Sequence, residues 1–154
     1  MSLELNLIKI AHLAEQNQAE NHSFGKYLKQ QNLQQIDQIV HRLNKTISNS
    51  ISCVDCGNCC RNLRPIATDE ALLPFVLPEN IATYKYLKEF TCKNLACNLC
   101  SVYDERPEEC RQYPYLHRDN FVNRTGEIIQ NYEICPIVFN VVEQLKVELK
   151  WQNK

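Results

Sequence analysis

CVDCGNCC, residues Cys53 to Cys60, sets four thiols in eight positions and ends on two adjacent cysteines. The surrounding stretch, residues 49 to 66, follows neither the helical nor the strand period, as expected of a loop ordered by ligands rather than by backbone ladders. Cys53-x2-Cys56-x2-Cys59 has the three-thiolate spacing of iron-sulfur loops, where a short segment wraps one corner of a cluster. Cys53-Val54-Asp55-Cys56-Gly57 equally suits half a zinc knuckle, because Gly57 can take the positive φ that turns backbone N–H groups toward the sulfurs. In extended backbone, consecutive side chains point to opposite sides. Cys59 and Cys60 are therefore expected to face two different sites.

The remaining thiols are Cys92, Cys97, Cys100, Cys110 and Cys135. If Cys60 joins Cys92, Cys100 and Cys110 while Cys97 is set aside, the count closes at two four-thiolate sites. Cys135-Pro136 is then the candidate for the fourth place beside Cys53, Cys56 and Cys59, by analogy with the distant Cys-Pro of ferredoxins. The alternative is a single site, with one member of the doublet an inert buried thiol.

A chain of 154 residues is the size of one domain and can bury a core without disulfide staples. A formal charge of −1 gives no electrostatic reason to expect nucleic acid or an anionic membrane as partner. The N-terminal stretch carries glutamates among its apolar positions and does not read as a signal peptide. No apolar run approaches the ~20 residues that span a bilayer. These features predict a cytoplasmic protein, where thiols stay reduced, so nine cysteines point to metal or redox chemistry rather than disulfides.

Outside the cysteines the pattern is helical. Leu3, Leu7, Ile10, Ala11 and Ala14 form one stripe, and Leu33, Ile36, Ile39, Val40, Leu43 and Ile47 a second, with a break expected within NHSFGKY, Asn21 to Tyr27. Thr68 before Asp69 and Glu70 reads as an N-cap to a short helix that Pro74 ends. Pro78 opens another helix through Ile81, Tyr84 and Leu87, and these segments should wall the cysteine site. Arg106-Pro107 leads into a short helix bearing Cys110, and Cys135-Pro136 into an amphipathic helix with Ile137, Val138, Val141, Val142, Leu145 and Leu149. The fold predicted is mainly α with irregular cysteine-rich loops, a single small helical domain over 1–154 built around a metal centre. Its parts are N-terminal helices over 1–48, a metal-binding region over 49–136 and a C-terminal helix over 137–154.

The cysteine arrangement resembles the CxxCxxCC cysteine-cluster family of the YkgJ type, whose domain is described as chelating zinc or iron. The likeness rests on CVDCGNCCR at 53–61, on the block from Cys92 through CSVYDERPEECRQYP to Pro114, and on the late Cys135. It implies that Cys53, Cys56, Cys59, Cys60, Cys92, Cys100, Cys110 and Cys135 are metal ligands and that Cys97 lies outside the pattern. It implies no particular reaction, and the chain has neither the C-x3-C-x2-C spacing of radical-SAM enzymes nor a glycine-rich nucleotide loop.

Arg61, Arg64, Arg106 and Arg111 flank the ligands in sequence and could offset thiolate charge or hold an anion, charge balance being the expected role. Tyr103, Tyr113 and Tyr115 are expected in packing, and His117 on the surface. The function predicted is binding of zinc or an iron-sulfur cluster through thiolates. A small redox or modifying enzyme using that centre is one alternative, and a structural zinc module for a protein partner is another.

Overall fold

The computed structural model of the chain describes residues 2–64 and 68–153. In chain order the α-helices are α1 (Leu7–Gln16), α2 (Gln18–Leu28), α3 (Leu33–Ser48), α4 (Cys53–Cys56), α5 (Asn58–Arg61), α6 (Asp69–Leu72), α7 (Ile81–Tyr84), α8 (Glu108–Gln112), α9 (Thr125–Gln130) and α10 (Pro136–Glu148). Short 3-10 turns cover Pro78–Asn80, Tyr103–Glu105 and Val122–Arg124. The strands β1 (Leu95–Ala96) and β2 (Leu99–Cys100) form an antiparallel hairpin. The molecule is mainly helical with cysteine-rich loops, as its periodicity predicts.

Packing divides the chain into two compact units: Met1–Ile51 with Tyr113–Lys154, and Ser52–Gln112. Residues 113–136, read from sequence with the metal-binding region, thus pack in the first unit.

The first unit is built on α10. Pro136 through Val142, Leu145 and Lys146 are all buried, so the helix is enclosed nearly all round, and its main partner is α3. Against it Ile36, Val40, Leu43 and Ile47 supply the α3 stripe, and Ile10, Phe24 and Leu28 the faces of α1 and α2. The break expected within NHSFGKY falls elsewhere. Asn21, Phe24 and Leu28 are buried on one face of a continuous α2, and core burial outweighs the weak helix preference of Asn and Gly. The chain instead turns at Asn17 and between Lys29 and Asn32. Asn6 and Asn32 cap α1 and α3, accepting the N–H of Lys9 and Gln35 at 3.0 Å each, contacts worth about 1 kcal/mol apiece. Asp37 holds a later loop by accepting the N–H groups of Asn120 and Phe121, both at 2.9 Å.

The second unit has a far smaller core: Leu72, Phe75, Val76, Phe90 and Cys92, with Cys60, Leu63, Ile81, Tyr84 and Cys110 packed against it. Thr68 caps α6 as expected, its Oγ1 accepting from Ala71 N at 3.3 Å. The helix opened by Pro78 runs as a 3-10 turn into α7 and stops at Tyr84, short of Leu87. These segments do wall the cysteines, since three thiols pack on the cluster they form. The expectation of irregular loop over 49–66 is corrected at 53–61, where the chain forms the single turns α4 and α5. Pro65 and Ile66, at the end of that stretch, lie outside the described residues.

Candidate metal centre

Ser52 starts the cysteine loop by accepting the N–H of Asp55 at 3.4 Å. The turn α4 then ends at Gly57, whose φ of 55° is left-handed and whose N–H donates to Cys53 O at 3.1 Å. A Cβ at Gly57 would lie 3.2 Å from the backbone oxygen of Asn98 and from a guanidinium nitrogen of Arg61, so the φ calls for glycine and the space is tight for anything larger. Beyond it α5 carries Cys59 and Cys60. The doublet is helical rather than extended, so its side chains diverge by about 100° instead of pointing oppositely. The two thiols are hydrogen-bonded to each other.

A short backbone ladder joins this loop to the second cysteine block. Leu63 and Phe90 exchange both N–H···O bonds, at 2.9 and 2.8 Å, and Cys92 N donates to Cys60 O at 2.8 Å. Cys60 and Cys92 are thereby fixed on neighbouring chain segments. Past the ladder the N–H of Asn94 donates to Cys92 Sγ at 3.5 Å, one backbone amide turned toward a sulfur as in metal knuckles, while that of Leu95 donates to Cys92 O at 3.1 Å. The β1–β2 hairpin brings Cys100 opposite Leu95. Its two-residue turn is Cys97-Asn98 with φ of 49° and 64°, both left-handed as a type I′ turn requires, and Cys97 is exposed at the tip. α4 packs against β2. Cys110 sits on α8, which Pro107 opens by accepting the N–H of Cys110 at 3.0 Å.

Electrostatics tie the thiols together. Burial pushes Cys110 up to about 11, and the neighbouring sulfurs of Cys60, Cys92 and Cys100 push the same way. Cys92 is raised by burial, opposed by the Asn94 N–H, and again feels Cys60 and Cys100. Cys53 is raised by desolvation and by Cys56, with Arg106 opposing and Cys60 adding to the rise. Cys60 goes down, to about 7, because the Cys59 thiol donates to it, an effect that outweighs burial and is aided by Arg61.

Of the eight sequence-predicted ligands, Cys53, Cys56, Cys59, Cys60, Cys92, Cys100 and Cys110 lie in the second unit and Cys135 in the first. Cys135 is buried, and its N–H donates to Asn131 O at 2.8 Å. Among the described residues no three His, Cys, Asp or Glu side chains are gathered closely enough to hold a metal ion. What fits a metal is the donor set: thiols within mutual electrostatic reach, an amide turned on a sulfur, and a left-handed glycine between ligand pairs.

The flanking arginines bind the loops. Arg61 donates to Cys56 O at 2.8 Å, Arg111 to Asp104 O at 2.6 Å and Arg106 O at 3.2 Å, and Arg106 to Tyr103 O at 2.7 Å while stacked 4.0 Å over the Tyr103 ring. These contacts set charge beside the thiols and brace the backbone that carries them. Tyr113 packs on the core of the first unit, its hydroxyl donating to Asn131 Oδ1 at 3.1 Å, and His117 is exposed. Sequence reading missed the hairpin and the ladder. Asn98 in a left-handed turn position was the one available cue to the hairpin.

The family model for CxxCxxCC, described as "Putative zinc- or iron-chelating domain", matches residues 52–136, more than half of the chain. No curated protein and no solved structure matches it. No helix among the described residues is long and apolar enough to cross a membrane.

Proposed function

The chain belongs to the CxxCxxCC family, and from that premise we propose that it holds zinc or iron through cysteine thiolates of the Ser52–Gln112 unit. The observation that carries this reading is the packing of Cys60 and Cys110 on the small core that contains Cys92. Cys92 and Cys110 each feel both Cys60 and Cys100 electrostatically. Four thiolates are the complement of a closed tetrahedral site. Cys60 and Cys92 on neighbouring segments of the ladder, Cys100 on the hairpin and Cys110 on α8 would hold the ion, and each thiol would give up its proton on binding it. Binding is therefore tighter at higher pH.

Cys97 has no part in this centre, because the turn that brings Cys100 inward leaves it exposed at the hairpin tip. Titration with Co2+, followed by thiolate-to-metal charge-transfer absorption, separates the two cysteines. Cys97→Ser should bind Co2+ as the parent does, whereas Cys110→Ser should lose at least about tenfold in affinity, since even the loss of a ligand's hydrogen-bonding partner costs roughly 10–100-fold. Equal losses in both variants would contradict the assignment.

A further inference from the structure

We propose that α10 carries a docking site for a non-helical peptide segment, and that the chain's own residues 2–5 occupy it here as a strap. The site belongs to the first unit and does not depend on the thiolates.

Asn140 is the polar exception in PIVFNVV, Pro136 to Val142, a stretch buried along its whole length. An amide in such surroundings costs free energy unless its donors and its acceptor are bonded. Here all of them are. Oδ1 accepts the N–H of Glu4 at 2.9 Å, while Nδ2 donates to Glu4 O at 2.9 Å and to Pro136 O at 2.7 Å. Both bonds to the strap end on main-chain atoms of one residue, so the side-chain amide offers what a neighbouring strand would offer a bound peptide. The Glu4 carboxylate turns elsewhere, accepting the N–H of Asn6 at 3.0 Å and meeting Lys9 Nζ at 2.6 Å. The clamp therefore reads backbone, and Leu3, packed on the first core, supplies selectivity for a side chain.

The strap is separable from the helix that follows it. Asn6 caps α1 through its own side chain, so release of residues 2–5 leaves that cap in place. The ties from Glu4 to Asn6 and Lys9 lie at the surface and hold the strap weakly. The ligand class is a peptide that presents a free N–H and C=O at one residue and a leucine just before it. Being tethered, the strap competes with such a peptide at an effective concentration of about millimolar.

The test weakens the strap within the full-length protein. Glu4→Pro removes the clamped N–H, and Leu3→Ser removes the packed side chain. The double variant should bind a fluorescent peptide Ser-Leu-Glu-Leu-Asn, the sequence of residues 2–6, saturably. N-methylation of the peptide at its glutamate, or Asn140→Leu added to the protein, should each lower affinity at least about tenfold, because a bond to a buried amide is lost. A folded double variant that binds no peptide, or that binds the N-methylated peptide equally well, would overturn the site. Trp151 fluorescence reports whether this unit has folded. Should the double variant not fold, the parent chain titrated with peptide at millimolar concentration gives the reading: the Asn140 side-chain amide and Glu4 N–H resonances shift together as the strap is displaced, and unchanged resonances would overturn the proposal.

Discussion

Chelating the metal should raise amide hydrogen exchange across Ser52–Gln112 by at least about a hundredfold while the amides of α3 and α10 keep their protection. A hundredfold corresponds to roughly 3 kcal/mol, well inside the ~10 kcal/mol or more that a structural metal contributes to folding. The asymmetry follows from the two cores. Among the described residues the hydrophobic core of the second unit is Leu72, Phe75, Val76, Phe90 and Cys92, and its helices are about one turn each. A segment of that size seldom gains more than ~3–5 kcal/mol from apolar burial and usually needs a metal or another staple. In contrast, α10 is enclosed on nearly every face, and a 16-residue α3 packs against it. Unchanged exchange in the second unit after metal removal would contradict the coupling of metal to fold.

The second large effect lies in the first unit and involves no thiol. Lys146 is buried, its side chain only 6% exposed, with Nζ 2.8 Å from Glu20 Oε1 and 2.7 Å from Glu143 Oε1. The hydroxyl of Tyr132 donates to that same Glu143 oxygen at 2.7 Å and accepts from Asn17 Nδ2 at 3.1 Å. The rings of Phe24, Tyr132 and Trp151 surround the ammonium at 5.9, 5.8 and 6.0 Å. Lys146→Ala removes the charge that both carboxylates share and leaves a void among the rings. It should cost about 2–3 kcal/mol, less than the ~3–5 kcal/mol of a fully buried broken pair because both glutamates keep some access to water. Lys146→Met keeps the apolar stem and should cost less. Trp151, the single tryptophan, sits on Phe24 and Tyr27, so urea unfolding followed by its fluorescence reads this unit. The midpoint should fall in Lys146→Ala with metal content unchanged. A stability change under about 0.5 kcal/mol would mean that the network contributes little, as surface ion pairs do.

The helices were legible where burial repeats at helical spacing: the stripe Ile36, Val40, Leu43 and Ile47, and the run after Pro136, are the faces that meet in the first core. Local caps were legible too, as at Thr68 and Gly57, because one side chain or one φ decides them. The α4 turn left a fainter mark, a serine at 52 with Asp55 three residues on, and the density of thiols obscured it. The ladder that sets Cys60 beside Cys92 left no mark in the local sequence, since it pairs segments about thirty residues apart through backbone atoms alone. The premise of an extended doublet failed for the same reason: backbone conformation at Cys59 and Cys60 is set by Gly57 and by the packing of Cys60 on the second unit's core, not by the two residues themselves.

Anaerobic purification of the full-length protein and of a Cys92→Ser variant, followed by zinc, iron and acid-labile sulfide analysis, tests the central claim most directly. The account predicts stoichiometric zinc or iron in the parent chain and its loss in Cys92→Ser. A parent chain that folds fully without either metal, or metal content that survives the loss of Cys92 undiminished, would contradict it.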